Sequence, residues 1–130
     1  SWGGMGSLWN RLVCFAFVRP QRYTYQFMEK AEFFTLSFFE EKYREVLNIC
    51  GTKSGRDVDK VTETGLTPMF SERGAVVFEE ARLVMECRKI YAQDITGAHF
   101  IDLTIDQKIY ASKDYHRMYI SEIVRCLTKK

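Results

Sequence analysis

The chain has 130 residues, 46% apolar and 28% charged, with a formal net charge of +2. That length suits one domain with room for a buried core, and the composition is that of an ordinary soluble globular protein. The charge imbalance is too small to imply nucleic acid or an anionic membrane as partner. The longest apolar run, Leu12 to Val18, falls well short of the roughly 18 residues that a membrane helix needs.

Leu12-Val13-Cys14-Phe15-Ala16-Phe17-Val18 has the continuous apolar character of a strand buried on both faces, and Pro20 ends it. Thr24 is placed to cap a short helix running to Lys30, with Tyr23 before the cap. Phe33 to Phe39 reads as a second, aromatic-rich strand. Glu40 to Cys50 reads as a helix with an acidic start and an apolar stripe of Tyr43, Val46, Leu47 and Cys50. Gly51 then stands at its C-cap.

A short helix is predicted over Asp57 to Thr64, closed by Gly65, followed by extended chain from Leu66 to Phe70 and a short strand from Gly74 to Phe78. From Ala81 the pattern alternates, with Ala81, Leu83, Met85 and Cys87 on one face and Arg82, Glu86 and Arg88 on the other. Ile95 to Ile109 is weakly patterned and holds a short helix. The last strand, Tyr115 to Leu127, sets His116, Met118 and Ile120 against Arg117 and Tyr119. Strands outnumber helices, and the helices fall in two clusters. This predicts a mainly β (α+β) domain, an antiparallel barrel closed or nearly so with helical insertions, rather than a doubly wound parallel sheet. One domain covers residues 1–130.

The aromatic content of 15% suits a flat-ligand site, and a well-filled β core explains it equally well. Cys14, Cys50, Cys87 and Cys126 form no Cys-x-x-Cys pair. Cys14, Cys87 and Cys126 sit in apolar runs and read as small buried hydrophobes in a reducing cytoplasm; Cys50, beside the glycine turn, reads the same way in preference to a catalytic thiol. No metal-ligand cluster or catalytic triad stands out.

The stretch Cys50-Gly51-Thr52-Lys53-Ser54-Gly55-Arg56-Asp57-Val58-Asp59-Lys60 combines two glycines, hydroxyls and cations between two predicted helices. It is not a P-loop, because Arg56 rather than lysine follows Gly55. It suits an anion held at the N-terminus of a helix beginning near Asp57, or an ordinary helix–turn–helix corner with solvated charges. Arg19 and Arg22 similarly bracket a helix start, which favours a phosphate over the alternative, an Arg-Pro turn that closes a strand and caps a helix with both arginines solvated.

Three blocks together, Ser1-Trp2-Gly3, Val18-Arg19-Pro20-Gln21-Arg22-Tyr23-Thr24 and Asn48-Ile49-Cys50-Gly51-Thr52-Lys53-Ser54-Gly55-Arg56-Asp57, resemble the flavin reductase-like family with its FMN-binding split barrel, especially the flavoredoxin-type members. The ending Asp114 to Ile123 is similar to their terminal strand, with Ser121 where a glycine is usual. The resemblance implies FMN as cofactor, NADH or NADPH as co-substrate, a cytoplasmic homodimer and a protein redox partner. It implies that Ser1, Trp2 and Gly3 line the flavin ring and that Arg19, Arg22, Tyr23 and Thr24 follow the ribityl chain and phosphate. Lys53, Ser54, Gly55 and Lys60 complete the phosphate site, and His116 becomes the candidate for a catalytic role near the flavin or the nicotinamide. Family members carry a further strand before the Trp2 block, so the chain is expected to begin after it. The implied activity is NAD(P)H-dependent flavin reduction with electrons passed to an acceptor. A non-catalytic FMN electron carrier and a flavin-free interaction module are the alternatives.

Overall fold

The computed structural model describes residues 2–129. Its centre is a five-stranded antiparallel sheet in the order β1 (Trp2–Leu8), β2 (Arg11–Val18), β7 (Arg117–Thr128), β6 (Leu83–Asp94), β3 (Phe33–Phe38). A separate hairpin pairs β4 (Pro68–Phe70) with β5 (Val76–Phe78). Helices α1 (Thr24–Lys30), α2 (Arg44–Thr52), α3 (Lys60–Thr64) and α4 (Leu103–Ile109) are inserted between strands. The domain is therefore the antiparallel, sheet-dominated α+β fold that the sequence predicts. Among the described residues β1 and β3 are the sheet's edges and are not hydrogen-bonded to each other, so the sheet is not closed.

β1 lies outside the elements read from sequence. Three of its seven residues are glycine, which weakens a strand signal. It is held by a two-residue turn in which Trp9 (φ 56°) and Asn10 (φ 58°) are both left-handed, the geometry that matches the twist of a tight hairpin. Gly3 is needed for a different reason. A Cβ there would stand 2.1 Å from the Phe15 carbonyl oxygen of β2.

The core gathers Val13 and Cys14 of β2, Val84 and Cys87 of β6, and Tyr119, Ile120 and Ser121 of β7, sealed by Met28 of α1. Three sequence expectations change here. Leu12 is exposed, so β2 is buried on both faces only in its middle. Cys126 is exposed near the end of β7. Glu86, assigned to the polar face, is 2% exposed, because that face is covered as well: Val84, two residues before it on the same side of β6, is 4% exposed. The Glu86 charge is met by Arg73 at 2.7 Å.

α1 docks on the sheet through polar contacts. Tyr119 donates to Glu29 at 2.6 Å, Arg117 lies 2.6 Å from the same carboxylate, and Lys89 donates to the Met28 and Glu29 carbonyls near the helix C-terminus. Cations suit that end of a helix. No described helix is long and apolar enough to cross a membrane.

Candidate functional site

The turn Arg19–Arg22, closed by the Arg22 N–H donating to the Arg19 carbonyl at 3.0 Å, joins two clusters. Pro20 lies within this turn, two residues after Val18 ends β2.

The first cluster meets the end of α2. Arg22 Nη2 donates to the Gly51 carbonyl at 3.4 Å, and Lys60 Nζ donates to the Cys50 carbonyl at 2.8 Å. Both cations therefore sit at the negative end of the helix dipole. Arg56 Nη1 donates to the Gln21 carbonyl at 2.9 Å, and its guanidinium lies over the Tyr23 ring, 5.4 Å from the centroid. Tyr23 also packs edge-on against Phe27, with centroids 5.1 Å apart. Gly55 faces the same ring. The segments Arg19–Thr24 and Cys50–Lys60 are thus interlocked.

The local backbone corrects several expectations. α2 runs through Gly51 to Thr52, and the capping residue Lys53 is extended, so Gly51 is not a C-cap. The next helix starts at Lys60, not near Asp57. Its Asp59 carboxylate accepts from the Val61 and Thr62 N–H groups, which occupies the donors that an anion was expected to use. The Thr62 hydroxyl and backbone hold that carboxyl below its ordinary range. Thr24 is the first residue of α1 and caps nothing with its side chain. Gly55 is not left-handed, since the positive-φ glycines are Gly65 and Gly74.

Lys53 pairs with Glu63 at 3.2 Å. Ser54 Oγ accepts from the Arg56 N–H at 3.1 Å. An anion here would meet the unused N–H groups of Arg22, two further ammonium donors on Lys60 and the Ser54 hydroxyl. These donors suit a phosphate dianion. The adjoining depression is lined by residues 55–61.

The second cluster lies on the other side of the turn. Arg19 Nη2 donates to the Ile109 carbonyl at 2.9 Å, Nη1 lies 3.3 Å from Asp114, and the guanidinium stands 5.5 Å from the Tyr110 centroid. Arg19 Nε is sealed from solvent and has no partner among the described residues, an orphaned donor. Gln21 Nε2 donates to Asp114 at 2.6 Å.

His116 is 7% exposed, and its Nδ1 lies 2.6 Å from the Tyr110 hydroxyl. Trp2, 55% exposed, stacks on the imidazole with centroids 4.9 Å apart and an interplanar angle of 30°. Burial, then the nearby Arg19 charge, holds the His116 pKa below its usual value, while Asp114 acts in the opposite sense. Ser1 lies outside the described residues.

Trp2, Arg19 and His116 therefore form one group, and Arg22, Tyr23, Lys60 and Gly55 the other. Sequence reasoning missed Arg56, Tyr110 and Asp114. Arg56 and Asp114 stood inside recognised blocks without an assigned role, and Tyr110 carried no local signal. A cavity of about 210 Å³ opens beyond Met118, lined by Ile95, His99 and Phe100 among others. Among the described residues no cluster of three or more His, Cys, Asp or Glu could hold a metal.

The solved structures of similar fold include an FMN-binding protein from Thermus thermophilus with bound p-hydroxybenzaldehyde, at 19% identity and a TM-score of 0.73, with 99% of this chain covered. They also include flavoredoxins from Methanosarcina acetivorans (19%, TM-score 0.74) and Desulfovibrio vulgaris (22%, TM-score 0.74), each with 99% of this chain covered. The alignment spans 61%, 59% and 59% of those three chains, so this chain matches about three-fifths of their length. Likeness at such identities shows the shared fold. No curated protein matches the chain. The flavin reductase like domain matches residues 7–130, and the chain therefore belongs to the flavin reductase-like family.

Proposed function

We propose that this domain binds FMN and acts as an NAD(P)H-dependent flavin oxidoreductase that passes electrons to an acceptor. The observation that carries this reading is the interlocking of Arg19–Thr24 with Cys50–Lys60 through Arg22–Gly51, Arg56–Gln21 and the Gly55–Tyr23 contact. Arg22 and Lys60, from segments distant in sequence, donate to the successive Gly51 and Cys50 carbonyls, which supports a phosphate site that Ser54 would complete. Arg22, Lys60, Ser54 and Lys53 would hold that phosphate, and Arg19, Tyr23 and Thr24 would flank the ribityl chain. Trp2 and Gly3 would border the ring, with His116 behind Trp2.

Bound FMN would supply hydride acceptance and electron transfer. The chain's own contribution is to bind and orient, and none of its residues needs to act as a nucleophile. The exposed rings of Trp2 and Trp9 support a symmetric homodimer whose second subunit covers the ring site.

Titration with FMN and riboflavin tests the reading. Each charge-assisted contact is worth roughly 1.5–3 kcal/mol, so FMN is expected to bind at least about tenfold more tightly. Equal affinities would overturn the phosphate site. Rapid anaerobic bleaching of the yellow complex by NADH or NADPH is expected of a reductase, whereas reduction only by a partner protein would make it an electron carrier.

A further inference from the structure

We propose that Tyr110 is a positioning residue that holds His116 as one neutral tautomer, with the proton on Nε2, beneath the Trp2 ring. Tyr110 is 5% exposed, and its O–H has one partner among the described residues, His116 Nδ1 at 2.6 Å. A buried hydroxyl left without an acceptor is costly, so the phenol donates and Nδ1 accepts. A neutral imidazole that accepts at Nδ1 must carry its proton at Nε2.

The surroundings favour this assignment. Burial raises the Tyr110 pKa, so the phenol keeps its proton. Among the described residues, Trp2 of β1 stacks on the ring, Arg19 follows β2, Tyr110 follows α4, and Asp114 and Tyr115 precede β7. Arg19 opposes a second positive charge here, and Asp114 is already engaged by Arg19 and Gln21.

Nε2 has no hydrogen-bond partner among the described residues, since the one side-chain bond of His116 is made by Nδ1. The cluster therefore presents a single N–H donor of fixed direction beside an exposed indole, suited to a carbonyl or other neutral acceptor rather than a cation. Tyr110 acts through His116 and not by touching a ligand. Its ring is itself held by Phe100 at 5.9 Å and Tyr115 at 4.8 Å.

The test is a long-range ¹H–¹⁵N correlation spectrum of the histidine side chains in flavin-free protein at neutral pH, with His99 as the internal comparison. In the wild type, His116 Nδ1 is expected at the unprotonated position and Nε2 at the protonated one. In Tyr110→Phe, which keeps the ring packing, the two nitrogen shifts should move towards each other as both tautomers become populated. A protonated Nδ1 in the wild type overturns the proposal even if the variant does not fold. So does a folded variant with unchanged shifts. Because no flavin is present, this result is independent of whether FMN binds.

Discussion

Gly55 faces the ring of Tyr23 so closely that a Cβ atom built on it would stand 2.7 Å from Cδ2 and 3.2 Å from Cε2. The glycine is required by this approach and not by backbone conformation, since its φ is ordinary. Tyr23 is in turn held between Phe27 and the Arg56 guanidinium, so the ring cannot yield without disturbing both.

Gly55→Ala is therefore expected to destabilise the fold by about 1–3 kcal/mol, the range for overpacking. Combined with Tyr23→Ala, which vacates the space, the penalties should be strongly non-additive. Urea denaturation of the two single variants and the double variant measures this. Additive losses would show that the ring is not the obstacle.

Arg22→Ala should weaken FMN roughly tenfold to a hundredfold and leave riboflavin binding almost unchanged, because of the two flavins only FMN carries a phosphate for the N–H groups that the Gly51 carbonyl leaves free. Lys53→Ala should matter less. Its ammonium is already paired with Glu63, and both side chains are largely exposed. Fluorescence titration of both flavins against both variants checks the order, and a larger effect from Lys53 would place the phosphate elsewhere.

The extent to which this fold could be read from sequence follows from where its signals are local. β2 and α1 were legible because an apolar run, Pro20 and a helix-length segment follow one another without interruption. β1 was not, because glycines remove the side-chain alternation and its tight turn uses Trp9 and Asn10 instead of glycine. Glu86 keeps its place in the alternation of β6 but is buried because its face is covered too, with Arg73 of the β4–β5 turn against it, and local pattern carries no sign of that cover. The two halves of the proposed phosphate site, Arg19–Thr24 and Cys50–Lys60, were visible as separate blocks. The Tyr110–His116–Trp2 stack joins distant parts of the chain, and no local pattern encodes such a meeting.

His116 gives a pH prediction. Burial, assisted by the Arg19 charge, lowers its folded pKa, so the unfolded chain takes up the proton first. Its contribution to stability is complete above about pH 6.5 and is lost as pH falls from there towards the folded pKa. Arg19→Gln removes the opposing cation, and the His116 pKa should rise. Proton NMR titration of flavin-free protein reads the shift directly, and an unchanged or lower value would remove Arg19 from the explanation.

Glu86 gives the opposite sign. Burial raises its pKa, but Ser71 and Arg73, together with the Arg73 and Arg125 charges, outweigh this and leave the carboxyl below its ordinary range. Its stabilising effect is present above the usual carboxylate pKa and is lost as pH falls through the folded value. Arg73→Met should cost about 2–3 kcal/mol, less than the ~3–5 kcal/mol of a wholly buried pair because the Arg73 side chain is 42% exposed. Acid unfolding should also move to higher pH. Thermal melts across the acid range measure both effects, and an unmoved acid transition would show that the ion pair does not anchor the β4–β5 turn.

The last prediction concerns the β1–β2 hairpin. β1 is an edge strand exposed along almost its whole length, and among the described residues it carries no charged side chain to discourage pairing. The register sets Met5 opposite Cys14, two residues after Leu12, so Met5 and Leu12 share a face, and both are exposed. An apolar face beside a free edge is what a second copy of the chain could cover. The wild type is therefore expected to run as a dimer in light scattering at micromolar concentration with FMN present. Met5→Glu combined with Leu12→Glu should give a monomer with an unchanged circular dichroism spectrum, because exposed positions contribute little to the stability of the single chain. A monomeric wild type would end the homodimer reading, and a dimer that survives both charges would move its interface off this hairpin.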